Sequence, residues 1–407
     1  MTNKTIHLTL KGTYAGDGNR DIDFRGKAVT VRSVDPNDAE VVGATVVDCQ
    51  GSSSAYHRGF HFHCGENANS VLSGFTITNG YAHSGGGIYC DRSSPTVANC
   101  VIRGNSAQRD GGGMYSGADS SPTIIHCTFT ENSTGYEGGG LYNLNGDPVI
   151  TDCTFTGNSS AEDGGGMQND EGSPTVIRCV FKANHAGDEG GGVSNEDTHV
   201  PPLGPVLMNC LFIANSANYG GGMGNDDSRP MLENCTFTGN SAGQGGGIYN
   251  ENAGAILTNC ILWGDAADEI YEYQSTSDVA YSDVQGGWPG EGNMDADPYF
   301  ANAANGDCHL KSQGGRWEPS GQTWVRDGVT SPCIDAGNVA DPVGLEPFPN
   351  GGIVNMGAYG GTAEASKSYF GEPICEKVIV GDINGDCIVD WKDFRFMAIH
   401  WLEEGDR

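Results

Sequence analysis

Residues 164–184 read Gly-Gly-Gly-Met-Gln-Asn-Asp-Glu-Gly-Ser-Pro-Thr-Val-Ile-Arg-Cys-Val-Phe-Lys-Ala-Asn. Met167 opens a short strand that ends at Asn169, and the Asp170-Glu171-Gly172 that follows is turn chemistry. A second strand runs from Pro174 toward Cys179. In Cys179-Val-Phe-Lys the alternation puts Cys179 and Phe181 on one face and Val180 and Lys182 on the other, as in a half-buried strand. The phrase recurs: triple glycines start at Gly85, Gly111, Gly138, Gly164, Gly190, Gly220 and Gly245, at intervals of 26, 27, 26, 26, 30 and 25 residues. Such a period is one supersecondary unit stacked on itself. Three short strands and three turns per unit predict an all-β chain, a right-handed parallel β-helix solenoid.

Stacking coils about 4.8 Å apart sets like residues in columns. One inward column is Cys100, Cys127, Cys153, Cys179, Cys210, Cys235 and Cys260, and a second is Ile102, Phe129, Phe155, Phe181, Phe212, Phe237 and Leu262. A third, after the glycines, is Met114, Leu141, Met167, Val193, Met223 and Ile248. Two asparagine columns, Asn105 to Asn240 and Asn143 to Asn250, fall at turns, where left-handed backbone and amide-to-amide bonding along the axis are expected of them. The cysteine column reads as free thiols filling a narrow core. Cys64 with Cys90, Cys308 with Cys333, and Cys375 with Cys387 are the pairs that spacing offers as disulfides, which suits an oxidising compartment.

The formal charge of −31 over 407 residues excludes nucleic acid and anionic membrane surfaces as partners, because both would be repelled at long range. No apolar run approaches the roughly 20 residues of a membrane span, so no membrane insertion is expected. The chain enters coil sequence almost at once without a signal-peptide core, and the expectation is a secreted or cell-surface protein whose leader is absent from this chain. Regular repeats cover residues 84–264 within a helix spanning 1–300. Residues 301–372 are expected to close it, with Trp263, Trp288, Trp317 and Trp324 sealing exposed strand edges. Residues 373–407 form a separate segment. The stretch 195–205, inside the one long repeat, is an insertion of the kind on which binding loops grow.

That last segment carries Asp382-Ile-Asn-Gly-Asp-Cys-Ile-Val-Asp-Trp-Lys-Asp393. Oxygen ligands at positions 1, 3, 5, 9 and 12, with a backbone carbonyl at 7, match a twelve-residue loop for Ca²⁺, which takes six to eight oxygens. The ligands expected are Asp382, Asn384, Asp386, Ile388, Asp390 and Asp393, with an exiting helix whose apolar face is Phe394, Met397, Ala398, Trp401 and Leu402. This loop resembles a dockerin type I repeat, with Asp393 where an EF-hand has glutamate and Cys387 at loop position 6. The resemblance covers about 24 residues and one repeat, and implies a cohesin-like partner.

An acidic column, Asp110, Glu137, Asp163 and Glu189, precedes the glycines. Stacked carboxylates must splay into water, share protons or hold cations, and paired acids could act as general acid and base on a glycosidic bond. These four are the catalytic candidates. A uronate lyase also needs a base and a carboxylate-neutralising cation, and Arg103 and Lys182 share one outward column but lie three coils apart. His57, His61 and His63 form a small cluster that reads as surface decoration or as metal ligands.

The coil pattern resembles the right-handed β-helix proteins of the pectin-lyase-like superfamily. The pairing of triple glycine with Phe-x-x-Asn, as in Phe129 to Asn132 and Phe181 to Asn184, is similar to the repeats of chlamydial polymorphic membrane proteins. The resemblance covers residues 29–300 and implies the fold, which hosts lyases, hydrolases, adhesins and inert stalks. The function expected is an extracellular or cell-surface β-helix that meets polysaccharide or another surface polymer, with a Ca²⁺-binding tail. The alternative is a polysaccharide-degrading enzyme, a glycoside hydrolase or polysaccharide lyase. Regular columns favour the first, and a dockerin-like tail favours the second.

Overall fold

The computed structural model describes residues 4–8, 11–197, 204–371, 381 and 388–395. They fall into two compact units, one of Met1–Leu257 with Gly264–Asp278 and one of Thr258–Trp263 with Val279–Arg407. The first unit is a parallel β-solenoid. Strands of successive coils pair residue for residue, as Met167, Gln168 and Asn169 do with Val193, Ser194 and Asn195. Three long sheets result, represented by Thr175–Ile177, Val180–Lys182 and Met167–Asp170. A fourth, narrower sheet of two-residue strands, among them Ser133–Thr134 and Ser159–Ser160, adds a side that the three-strand reading of the sequence lacks. Two residues between an asparagine and the next glycines carry no periodicity, so only pairing between coils reveals them. One short helix, Ala39–Ala44, interrupts the early coils, capped by the Asp38 side chain, which accepts from the N–H groups of Glu40 and Val41.

The columns are built as their residue types require. Phe129, Phe155, Phe181, Phe212 and Phe237 are wholly buried and stack with ring centroids 4.7, 4.9, 5.0 and 4.3 Å apart. Each such ring contributes about 2–3 kcal/mol by leaving water. The cysteines of the ladder are buried thiols in no disulfide, and the Cys127 N–H points at the Cys153 sulfur, 3.4 Å away. Cys64, Cys90, Cys308 and Cys333 are in no disulfide either, so two of the bridges that spacing offers are not formed. Cys375 and Cys387 lie outside the described residues. Buried Asn105, Asn132, Asn158, Asn184, Asn215 and Asn240 bond amide to amide at 2.9–3.1 Å along the axis. The left-handed residue, however, is the one before each: Gly104, Glu131, Gly157, Ala183, Ala214 and Gly239. The asparagines spend their side chains on the ladder, and their neighbours absorb the turn.

The triple glycine has two separate causes. Gly164 has φ +63, whereas a Cβ on Gly165 or Gly166 would meet the Gly191 or Gly192 carbonyl oxygen at 2.6 or 2.4 Å. The next coil passes too close for any side chain.

The second unit has its own core of Ile261, Leu310, Cys333, Ile334 and Met356, with Trp263, Met294 and Phe300 packed on it. Trp317 and Trp324 face each other, centroids 5.6 Å apart, across an antiparallel hairpin of Arg316–Glu318 and Thr323–Val325. Among the described residues no helix is long and apolar enough to cross a membrane.

Candidate functional site

The sheet containing Met167–Asp170 presents three parallel columns on its outer side. Its middle column runs Tyr89, Tyr115, Tyr142, Gln168, Ser194, Gly224, Tyr249 and Tyr271. Side chains shrink from tyrosine to glycine and grow back, and Gln168, Ser194 and Gly224 lie buried beneath the acids of the two margins, with tyrosines at both ends. One margin is the acidic column expected from the sequence, Asp110, Glu137, Asp163 and Glu189, in register because each first glycine N–H donates to the acid's carbonyl in the next coil. The same margin continues as Tyr219 and Gln244. The other margin was not singled out from the sequence: Asp170, Glu196, Asp226 and Glu251, paired in consecutive coils. Its signal was present, an acid three residues after Met167, Val193, Met223 and Ile248.

Across the sheet the two margins meet. Glu137, Asp163 and Glu196 bring carboxylate oxygens within 4.8 Å of one another. The Gln168 Nε2 lies 3.5 Å from Glu196 Oε2, while its own Oε1 is buried with no partner and the residue is 0% exposed. Asp163 Oδ1 accepts the Glu189 N–H at 2.8 Å. Glu189 folds down over Gly224, where an added Cβ would come 2.2 Å from its Cγ, and its Oε1 is likewise buried without a partner. Glycine at 224 makes the room that Glu189 occupies.

Burial and like charges raise the proton affinity of these groups. Glu137 is pushed up to about 8 by burial and by Asp163, Glu196, Asp110 and Asp170. Glu196 rises to about 7 through burial, Asp170 and Asp163, and Asp163 to about 6 through burial, against the Glu189 N–H that opposes it. Glu189 is driven well above the carboxylate range by burial, Asp163 and Asp226. Asp110 rises less, since Arg109 and His83 offset burial. Close acids without a cation must hold protons.

The spacing decides what the group can do. Carboxyl pairs that cleave glycosides stand about 5–5.5 Å apart in retaining enzymes and about 6.5–9.5 Å in inverting ones. Glu137, Asp163 and Glu196, with one oxygen each within 4.8 Å of the others, suit a shared proton or a hard cation, whose oxygen ligands lie about 2.3–2.6 Å from the metal. Arg103 and Lys182 sit on a different sheet, aligned through Thr130 and Thr156. No lysine or arginine joins the three acids among the described residues that act most strongly on them. Farther along, Glu189, Tyr219, Tyr249, Glu251, Tyr271 and Tyr273 line a cleft. Tyr219 and Tyr273 are exposed, and the Tyr249 hydroxyl donates to Glu251 at 2.9 Å.

Of the expected Ca²⁺ loop, Asp382, Asn384 and Asp386 lie outside the described residues, as do Met397, Ala398, Trp401 and Leu402. Residues 391–395 are helical. Asp390 Oδ1 accepts the Lys392 N–H at 2.7 Å and Asp393 Oδ2 accepts the Asp390 N–H at 2.6 Å, a reciprocal cap at the helix start. Ile388 is exposed, and Trp391, 75% exposed, stacks on Phe394 at 5.0 Å. Of the expected insertion, residues 198–203 also lie outside the description. The histidine cluster divides: His57 pairs with Asp21 at 2.7 Å, while His61 and His63 stack at 4.0 Å.

Comparison with known proteins agrees with the solenoid. The family described as right handed beta helix region matches residues 12–147 and 107–223, together more than half of the chain. A family described as Disaggregatase related matches residues 229–337. Among solved structures, the crystal structure of pectate lyase Pel9A is similar over 88% of each chain, with a TM-score of 0.51 and 14% identity, a likeness of fold. A search of curated proteins gave no match.

Proposed function

This chain belongs to the right-handed beta helix family, and on that premise we propose that it is an extracellular or cell-surface protein that binds polysaccharide along the acidic, tyrosine-flanked face of its solenoid. The observation that carries this reading is the double row of carboxylates over Gln168, Ser194 and Gly224, which leads along the sheet to the cleft lined by Glu189, Tyr219, Tyr249, Glu251 and Tyr271. Tyrosine faces offer apolar area with a polar tip, and carboxylates accept from sugar hydroxyls. The pectate lyase neighbour and the Disaggregatase related match, which takes in Tyr249, Glu251 and Tyr271, support a polymer as the ligand.

Glu137, Asp163 and Glu196 would hold a divalent cation such as Ca²⁺, which offsets the repulsion that an acidic polymer would otherwise meet on a chain of charge −31. The tail, through the loop from Asp382 to Asp393, is a second Ca²⁺ segment serving attachment or stability, with exposed Trp391 available to a cohesin-like partner. The test is retention of the chain in gels of neutral and acidic polysaccharides, with Ca²⁺ or with chelator, while reducing ends and unsaturated uronate are monitored. Glu137→Gln and Tyr249→Ala are each expected to cut retention at least tenfold. Full retention by both variants would remove the site, and product release lost in Asp163→Ala would move the reading to a polysaccharide-degrading enzyme.

A further inference from the structure

A second group of side chains, on earlier coils of the same unit, has a different chemistry. Asp23 closes the strand Ile22–Asp23, which pairs in parallel with Phe60–Phe62 so that Asp23 lies opposite His61. His63 and Cys64 follow that strand directly. The pairing brings Asp23 Oδ2 to 3.3 Å from His63 Nε2 and leaves the Cys64 sulfur 4.0 Å from the same nitrogen. The three donor atoms all lie within 4.8 Å of one another. In a tetrahedral zinc site, metal bonds of about 2.0–2.3 Å put an oxygen and a nitrogen about 3.4 Å apart and a sulfur and a nitrogen about 3.6 Å apart. The oxygen–nitrogen edge is already met; the sulfur of the exposed Cys64, 3.9 Å from Nδ1 and 4.0 Å from Nε2, has to swing toward Nε2 and Asp23 Oδ2 to close the other two edges.

The surroundings hold the donors in place. Asp23 Oδ1 accepts the Arg25 N–H at 2.7 Å, while Oδ2 faces His63 and lies 3.9 Å from the exposed Arg25 guanidinium, which a metal ion would displace. Glu66, 3% exposed, accepts the Cys64 N–H at 2.9 Å and the Gly26 N–H at 2.6 Å, tying the cysteine's turn to the turn that follows Asp23. The Ser93 hydroxyl donates to the same carboxylate at 3.0 Å. The His63 ring is stacked on His61, 21° from parallel. Such outer contacts are what orient metal ligands.

We propose that Asp23, His63 and Cys64 form a binding site for a divalent transition metal of the zinc type, with three protein ligands and a fourth position left to water. A thiolate and an imidazole favour a borderline-soft ion over Ca²⁺, which sets this site apart from the all-oxygen groups elsewhere in the chain. Glu66 is a positioning residue that acts through the backbone of Cys64.

The test is titration of the reduced full chain with Co²⁺, reading thiolate-to-cobalt charge-transfer absorbance, followed by displacement with Zn²⁺. One equivalent of signal is expected in the unaltered chain. It should vanish in Cys64→Ser, and Asp23→Asn should weaken Co²⁺ binding at least tenfold. Alkylation provides a readout on the unaltered chain: Zn²⁺ should slow modification of Cys64, located by peptide mapping, at least tenfold. Absence of the band in the unaltered chain, its persistence in Cys64→Ser, or alkylation of Cys64 at an unchanged rate with Zn²⁺ would each overturn the proposal.

Discussion

Glu189 shows how one side chain depends on the absence of another. Its carboxylate lies over Gly224 in a space that any Cβ would fill. Gly224→Ala is therefore expected to displace it and to cost about 1–3 kcal/mol, as overpacking does, read as a lowered denaturant midpoint with an unchanged slope. In a Glu189→Ala background the same substitution should cost much less, and equal costs in both backgrounds would show that the two positions are independent. At this scale the sequence was half legible. Position before the glycines identified Asp110, Glu137, Asp163 and Glu189 as one column, because register along a solenoid follows from the repeat. It did not reveal Glu196 as the partner of Glu137 and Asp163, since that meeting crosses the sheet and needs the small residues between. His63 likewise met Asp23, 40 positions away, rather than its neighbour His57.

In the asparagine ladder the amide-to-amide bonding expected from the sequence is present. Each amide both gives and receives: Asn158 Oδ1 accepts from the backbone and side-chain nitrogens of Asn132, while its Nδ2 donates to the Phe129 carbonyl and to Asn184. Removing it strands several buried polar groups at once, and Asn158→Ala should destabilise the solenoid by about 2–4 kcal/mol, measured by chemical denaturation. A cost below that of an exposed substitution would mean that water replaces the lost amide. The expectation of left-handed asparagines failed because the ladder and the turn need different residues, and the turn falls one position earlier, even on Ala183 at φ +52. The fourth sheet, such as Ser159–Ser160 with His185–Ala186, also escaped the sequence, because two residues are too few to show a period.

For the whole molecule the acids set the response to pH. Glu137, Glu196 and Asp163 bind protons more tightly folded than unfolded, with values raised from 4.5, 4.5 and 3.8 to about 8, 7 and 6. The stability they contribute is complete below the ordinary carboxylate range and is lost as pH rises through 6 to 8. The melting temperature should therefore fall between pH 5 and pH 8.5, less steeply in Glu137→Gln, and Ca²⁺ should recover part of the loss at the alkaline end. A melting temperature that climbs over this interval would show that the three acids are neither close nor buried in solution. The sequence by itself determined the coil, its period, its cysteine and phenylalanine columns and the first acidic margin, because each is a contact between equivalent residues of adjacent repeats. The tertiary structure alone decided which unlike residues converge: Glu196 with Glu137 and Asp163, Glu189 with Gly224, and Asp23 with His63 and Cys64. Those contacts run across or between coils, where distance depends on the size of everything in between and no periodicity records it.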